Sequence, residues 1–241
     1  MENKKVIVVG ASSGIGAAIA RQLLESGNRV ALVARREEML AEVAEGNDEA
    51  LIFAHDVKEV QEVPELFSRI TQQLKGLDCV IYAAGQQFLI GPNEFPTDRD
   101  REMVEVNLVG AIAWLNQAAL RFSNTRTGCI VGISSVAGDR GRSGNPVYNA
   151  TKAGLNTYLE ALRNRLYANG VKVTTVKPGP VATPLTARLG LKPSMSADEA
   201  ARKIIARAWS GREVYLKPAH AVIFYLIRRI PSWLFRRLNP K

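Results

Sequence analysis

Short, nearly continuous apolar runs alternate along the chain with longer stretches whose apolar residues recur every three or four positions. The runs are KKVIVVG, RVALVAR, ALIFAHD, LDCVIYAAG, GCIVGISS, VKVTTVKPG and EVYLK. Each reads as a strand covered on both faces, since a half-exposed strand would alternate apolar with polar. The stretches between them read as helices: about Gly14 to Ser26, one through Glu45, then 59–75, 98–122, and one carrying YNATK to about Asn169. A further helix opens with Ser196 and Glu199 in capping-box spacing. Strand-helix alternation throughout predicts an α/β fold, a doubly wound parallel seven-stranded sheet in one domain, residues 1–216. No internal repeat or low-complexity linker interrupts it.

The 241 residues are 46 % hydrophobic and 23 % charged, ordinary for a globular chain that builds its core without disulfides. Cys79 and Cys129 lack the spacing of a metal cluster or disulfide framework and read as buried thiols. No metal site is expected. The first apolar run is too short for a signal peptide, and no apolar run of about 18 residues offers a span, so a cytoplasmic location is expected.

Charge changes the picture at one end only. The net charge is +9, and Lys217, Arg228, Arg229, Arg236, Arg237 and Lys241 supply six of those charges in an acid-free tail, 217–241. Read as a helix, the tail sets Ile223, Ile227, Ile230, Leu234 and Leu238 on one side and Arg228, Ser232 and Arg236 on another, with Pro231 able to divide it. Such an amphipathic helical tail suits an anionic membrane surface. Packing on the protein's own cleft or on a sister subunit would use the same face. Bulky aliphatics argue against nucleic acid.

Candidate chemistry begins at VIVVGASSGIG, which places Gly10, Gly14 and Gly16 at the first strand-to-helix turn, with Ser12, Ser13 and Ile15 between them. Glycines there let the backbone approach a pyrophosphate at the positive end of a helix. The second strand ends in Arg35 and Arg36, whose planar forks suit a ribose 2′-phosphate. NADP(H) is favoured over NAD. The alternative is that both arginines are solvated and Glu37 or Glu38 reaches the ribose.

The motifs GASSGIG, HDV, YAAG, VNLVG, ISSVAG, YNATK and KPGPVATP follow in order. With them the chain resembles the short-chain dehydrogenase/reductase family over about residues 4–216. The resemblance implies a Rossmann-like fold and an oxidoreductase. It implies Tyr148 as acid/base, Lys152 as its partner, Ser135 as donor to the substrate carbonyl, and Asn107 as anchor of a water beside Lys152. It implies Asp56 and Val57 at the adenine, Ala83, Ala84 and Gly85 at the ribose, and Pro178, Gly179, Val181 and Thr183 beside the nicotinamide, Val181 and Thr183 holding its carboxamide. Lys152, and the cofactor's charge, would lower the Tyr148 pKa. Dimers or tetramers through the long helices are implied too. One departure stands out: Tyr82 and Ala83 occupy positions where the family often has asparagines, so asparagine-based support of the sheet is lost.

Loops 86–97, 138–146 and 180–195 should wall the substrate site. Phe88, Leu89, Ile90, Phe95, Pro184, Leu185, Leu189, Leu191 and Met195 make it mostly apolar. The expected activity is interconversion of a carbonyl and a secondary alcohol on a lipophilic substrate such as a steroid-like, long-chain or sphingoid-type ketone. The alternatives are a reductase of 3-ketoacyl groups borne on a carrier protein, and a catalytically idle NADP-binding sensor or scaffold.

Overall fold

The computed structural model describes residues 2–238; Lys241, counted above in the basic tail, lies outside them. Seven strands form one parallel sheet: β1 (Lys5–Val9), β2 (Arg29–Ala34), β3 (Ala50–Ala54), β4 (Cys79–Tyr82), β5 (Cys129–Ile133), β6 (Lys172–Lys177) and β7 (Glu213–Tyr215). Their spatial order is β3-β2-β1-β4-β5-β6-β7. The order reverses beside β1, so the β1 and β4 carboxyl ends flank a crevice, where open α/β sheets bind ligands.

Each strand sends alternate residues to opposite faces. Val6, Val8, Leu32, Ile81 and Val131 enter a core covered by α1 (Gly14–Glu25), α2 (Glu37–Ala44) and α8 (Ala197–Arg207). Ile7, Val9, Val33, Val80 and Ile130 enter a second core under α3 (Val63–Gln73), α5 (Gly110–Thr125) and α6 (Pro146–Arg165). Both faces are dry, which explains the unbroken apolar runs. Cys79 and Cys129 are buried, unbridged thiols in register across β4 and β5.

Three local features depart from the sequence reading. The long helix runs without interruption from α4 (Thr97–Val104) through a π-helical turn, Glu105–Val109, into α5. Among the described residues this is the one helix long and apolar enough to cross a membrane, and half of its apolar stretch is buried inside the protein. Second, α7 (Pro184–Arg188) interrupts what reads as a loop. Its start is encoded: Thr183 and Thr186 cap each other reciprocally, and Pro184 takes the first turn, where its missing N–H costs nothing. Third, Ser196 Oγ accepts from Glu199 N at 3.0 Å, but Glu199 turns to Lys203 Nζ at 2.7 Å, so that capping box is half made.

Beyond β7, α9 (Pro218–Arg229) ends at Ile230–Pro231 and α10 (Ser232–Phe235) follows. The predicted face divides: Ile227 and Ile230 turn toward the body, while Ile223, Leu234 and Leu238 are exposed.

Candidate active site

A cavity of about 1030 Å³ opens at the carboxyl end of the sheet. Its first wall is the turn after β1. Gly10 sits at φ +87°, and a Cβ there would lie 2.4 Å from Ala84 N; one on Gly16 would lie 2.1 Å from Gly10 O. Those two glycines let β1, α1 and the end of β4 touch. Gly14, at φ +57°, opens α1. Ser13 leaves the α1 amides without a side-chain cap, and no acid stands in the first turn. Such an end attracts an anion.

Ser12, Ser13, Ile15, Arg35, Arg36, Asp56 and Val57 line the same wall. Arg35 Nη1 lies 3.7 Å from Asp56 Oδ2, and Arg36 Nη2 donates to Ser12 Oγ at 3.3 Å. Ala83, Ala84 and Gly85 form the floor, and Pro178, Gly179, Val181 and Thr183 the opposite side. The residues fit a nicotinamide dinucleotide: clearance for its backbone, open amides for its pyrophosphate, and cations at the ribose end.

Tyr148 stands in the first turn of α6, with Lys152 one turn on. Both line the cavity, as does Ser135 at the end of β5. Lys152 Nζ donates to Ile133 O at 3.1 Å and lies 5.8 Å from the Tyr148 ring centre. Burial lowers the Lys152 pKa to about 8. Burial also pushes the Tyr148 phenol up, against the opposing pull of a Ser135 hydrogen bond and the Arg142 charge. In the protein alone the phenol is therefore not acidified as expected: desolvation outweighs the Ser135 hydrogen bond and the Arg142 charge. Ser135 Oγ accepts from Ala137 N at 3.0 Å, while its neighbour Ser134 is buried and donates to Lys152 O.

The short chain dehydrogenase family model matches residues 4–193. The chain belongs to the short-chain dehydrogenase/reductase family. An uncharacterized oxidoreductase of Staphylococcus aureus (strain MW2) is 35% identical over 189 residues, spanning 78% of this chain and 82% of that protein. One from Staphylococcus epidermidis is 32% identical over 187 residues, 77% of this chain and 81% of its own. Among solved structures, NADP-bound ElxO superposes with a TM-score of 0.83 at 20% identity, covering 91% of this chain and 99% of that one. This short-chain dehydrogenase/reductase is thus an oxidoreductase by family.

Within the family frame, Asn107 is the one predicted catalytic or cofactor residue that does not line the cavity. It is fully buried in the π-helical turn. Its Oδ1 accepts from Gln86 N at 2.7 Å and its Nδ2 donates to Gln86 O at 2.8 Å. Its side chain is committed to clasping residue 86, the first of a substrate loop. Tyr82 explains the departure noted above. Its buried hydroxyl donates to Val106 O at 2.6 Å, tying β4 to the π-helical turn one residue before Asn107. Gly110 makes the room, since a Cβ there would lie 2.9 Å from that hydroxyl. The tyrosine replaces asparagine support with a bond of its own.

The expected substrate walls of this oxidoreductase include Phe88, Leu89, Ile90, Phe95, Pro184, Leu185, Leu189 and Leu191, which line the cavity, while Met195 belongs to the core instead. Thr183, expected to hold a carboxamide, spends its hydroxyl on the α7 cap. Three residues went unnoticed in the sequence. Arg142 lines the cavity and acts on Tyr148. Asn145, at φ +65°, caps α6 through Tyr148 N and donates to Phe88 O at 2.7 Å. Arg188 reaches Gln87 O at 3.1 Å. Only Asn145 carried a signal, an Asn-Pro pair at a helix start.

Proposed function

We propose that the protein is an NADP(H)-dependent reductase of lipophilic ketones. One observation carries this reading: a single cavity has arginines at its dinucleotide end, Ser135, Tyr148 and Lys152 at its centre, and apolar walls beyond. The cofactor, when bound, supplies the hydride. The chain's own residues handle the oxygen. Ser135 Oγ and Tyr148 Oη orient the carbonyl, and Tyr148, which burial keeps protonated, gives its proton to the oxygen as charge develops. Lys152 orients the site from one turn away.

The NADP preference is supported by Arg35 and Arg36 lining the cavity, whereas Glu37 and Glu38 do not. It is also consistent with the NADP carried by ElxO. The test is NADPH and NADH oxidation with a panel of aliphatic and steroid-like ketones. Turnover should fall by about 10²–10⁴ in Tyr148→Phe, and the preference for NADPH should collapse in Arg35→Ala/Arg36→Ala. Full activity in Tyr148→Phe removes the mechanism, and a chain that binds NADPH yet reduces no ketone returns the idle sensor.

A further inference from the structure

The body holds α9–α10 by one face. Arg228 pairs with Asp139 at 2.5 Å and with Glu213 at 3.4 Å. Arg140 donates to the carbonyls of Ile227 and Ile230 at 2.8 and 2.5 Å and lies over the buried Phe235 ring at 4.3 Å. Phe224 stacks on Tyr215, and His220 fills the space beside Gly179, a wall residue of the cavity. That contact leaves the opposite face outward, and the face is apolar. Val222, Ile223, Tyr225, Leu226, Trp233 and Leu234 are exposed, Val222 by 62 % and Leu226 by 58 %. Arg229 lies against the Tyr225 ring at 3.6 Å and Arg237 near Trp233 at 5.5 Å. Among the described residues, Arg229, Arg236 and Arg237 have no ion-pair partner, and 217–238 contain no acid.

We propose that this outward face docks the protein on an anionic lipid bilayer. Exposed aliphatics with tryptophan and tyrosine, edged by arginines, match the acyl-headgroup boundary. Charge selects the occupant. A two-fold contact with a second copy would set this arginine-rich patch against itself, whereas anionic headgroups neutralise it. Nucleic acid would meet the arginines but leave the aliphatics in water. The parallel sheet puts every strand's carboxyl end on one side, and α9 leaves from that side beside Gly179. The helix that carries the docked face thus starts beside the cavity, whose lining includes the exposed Leu89 and Phe95. Delivery of a lipid-borne ketone rests on the function proposed above; docking itself does not.

Flotation of the full chain tests docking without turnover, using vesicles of phosphatidylglycerol with phosphatidylcholine and of phosphatidylcholine alone. The full chain should float with the anionic vesicles and far less with the neutral ones. Arg229→Gln/Arg236→Gln/Arg237→Gln should bind on the order of a hundredfold more weakly, at about fivefold per arginine. Val222→Asp/Leu226→Asp should also stay unbound, with NADPH binding reporting that each variant is folded. Absence of flotation with anionic vesicles overturns the proposal. So does unchanged flotation of the glutamine variant, or a solution dimer that the aspartate pair dissociates, which would assign the face to a second copy. Loss of ketone reduction with flotation intact would count against the proposed function alone.

Discussion

Among the described residues two lysines are buried, and they are buried differently. Lys177, at the end of β6, is 1 % exposed, with Asp139 Oδ1 at 2.9 Å and Glu213 Oε1 at 2.7 Å. Lys152, in the cavity wall, is 4 % exposed and has a carbonyl, Ile133 O, as its hydrogen-bond acceptor, with no ion-pair partner among the described residues. A buried cation with carboxylates is an anchor, because its desolvation is offset where it stands. A buried cation without them is held at a cost, which marks a working site. The two also differ in reach. Lys177 shares Asp139 and Glu213 with Arg228, so its network joins the sheet to α9 and to the loop after Ser135. Lys152 serves only the cavity.

The largest effect should come from breaking the anchor. Lys177→Met leaves Asp139, whose side chain is 1 % exposed, with Arg228 and Tyr215 but without its nearest buried cation. The expected loss is about 3 kcal/mol, seen as a fall in Tm of roughly 10 °C, with protease cleavage appearing near 217–230. The same network predicts acid sensitivity. Burial pushes the Glu213 pKa up, but Lys177 and Arg228 outweigh it and hold the carboxyl below its ordinary 4.5. Its contribution is therefore full above pH 4.5 and is lost as pH falls through the lowered value. An unchanged Tm in Lys177→Met would erase the distinction between the lysines.

A neutral buried group should lie between them. Tyr82→Phe removes the bond to Val106 O and leaves that carbonyl in the core, costing about 1–2 kcal/mol. Because the bond steadies the turn carrying Asn107, kcat for ketone reduction should fall severalfold with the KM for NADPH unchanged. A stability loss with no kcat change would make Tyr82 purely structural.

What could be read beforehand follows from distance along the chain. The seven strands, the glycine turn and the Tyr148–Lys152 spacing are local patterns, set by strand burial, backbone clearance and one helical turn. The seven-stranded sheet and the placement of Arg35 and Arg36 followed from them, while Asp56 came from the family resemblance. The Tyr82–Val106 bond spans 24 residues, and Arg228 reaches back 89 to Asp139. Nothing in either neighbourhood announces the partner. That is why the tail's inward face and the charge beside Tyr148 emerged only in three dimensions. Thr183–Thr186 is the opposite case, a local cap that was legible and overlooked.

The sharpest contrast is opposite in sign. Lys152→Met should abolish reduction and yet stabilise the fold at pH 7. The folded pKa is about 8 against an ordinary 10.5, so holding the charge costs at most about 3 kcal/mol. Losing the bond to Ile133 O gives back about 1 kcal/mol, leaving a gain near 2 kcal/mol, or roughly 4–8 °C. The sign in pH is set by proton binding. Between pH 8 and 10.5 the unfolded chain holds more protons at this lysine than the folded one, so the parent's stability rises with pH across that window. Methionine removes the rise, so the two stability curves should cross before pH 10.5, and above it the variant should be the less stable by about 1 kcal/mol, the lost bond to Ile133 O. Denaturant titrations of both proteins at pH 7, 9 and 10.5 check it. A variant less stable than the parent at pH 7, or one with the parent's slope, would mean that Lys152 is as well compensated as Lys177.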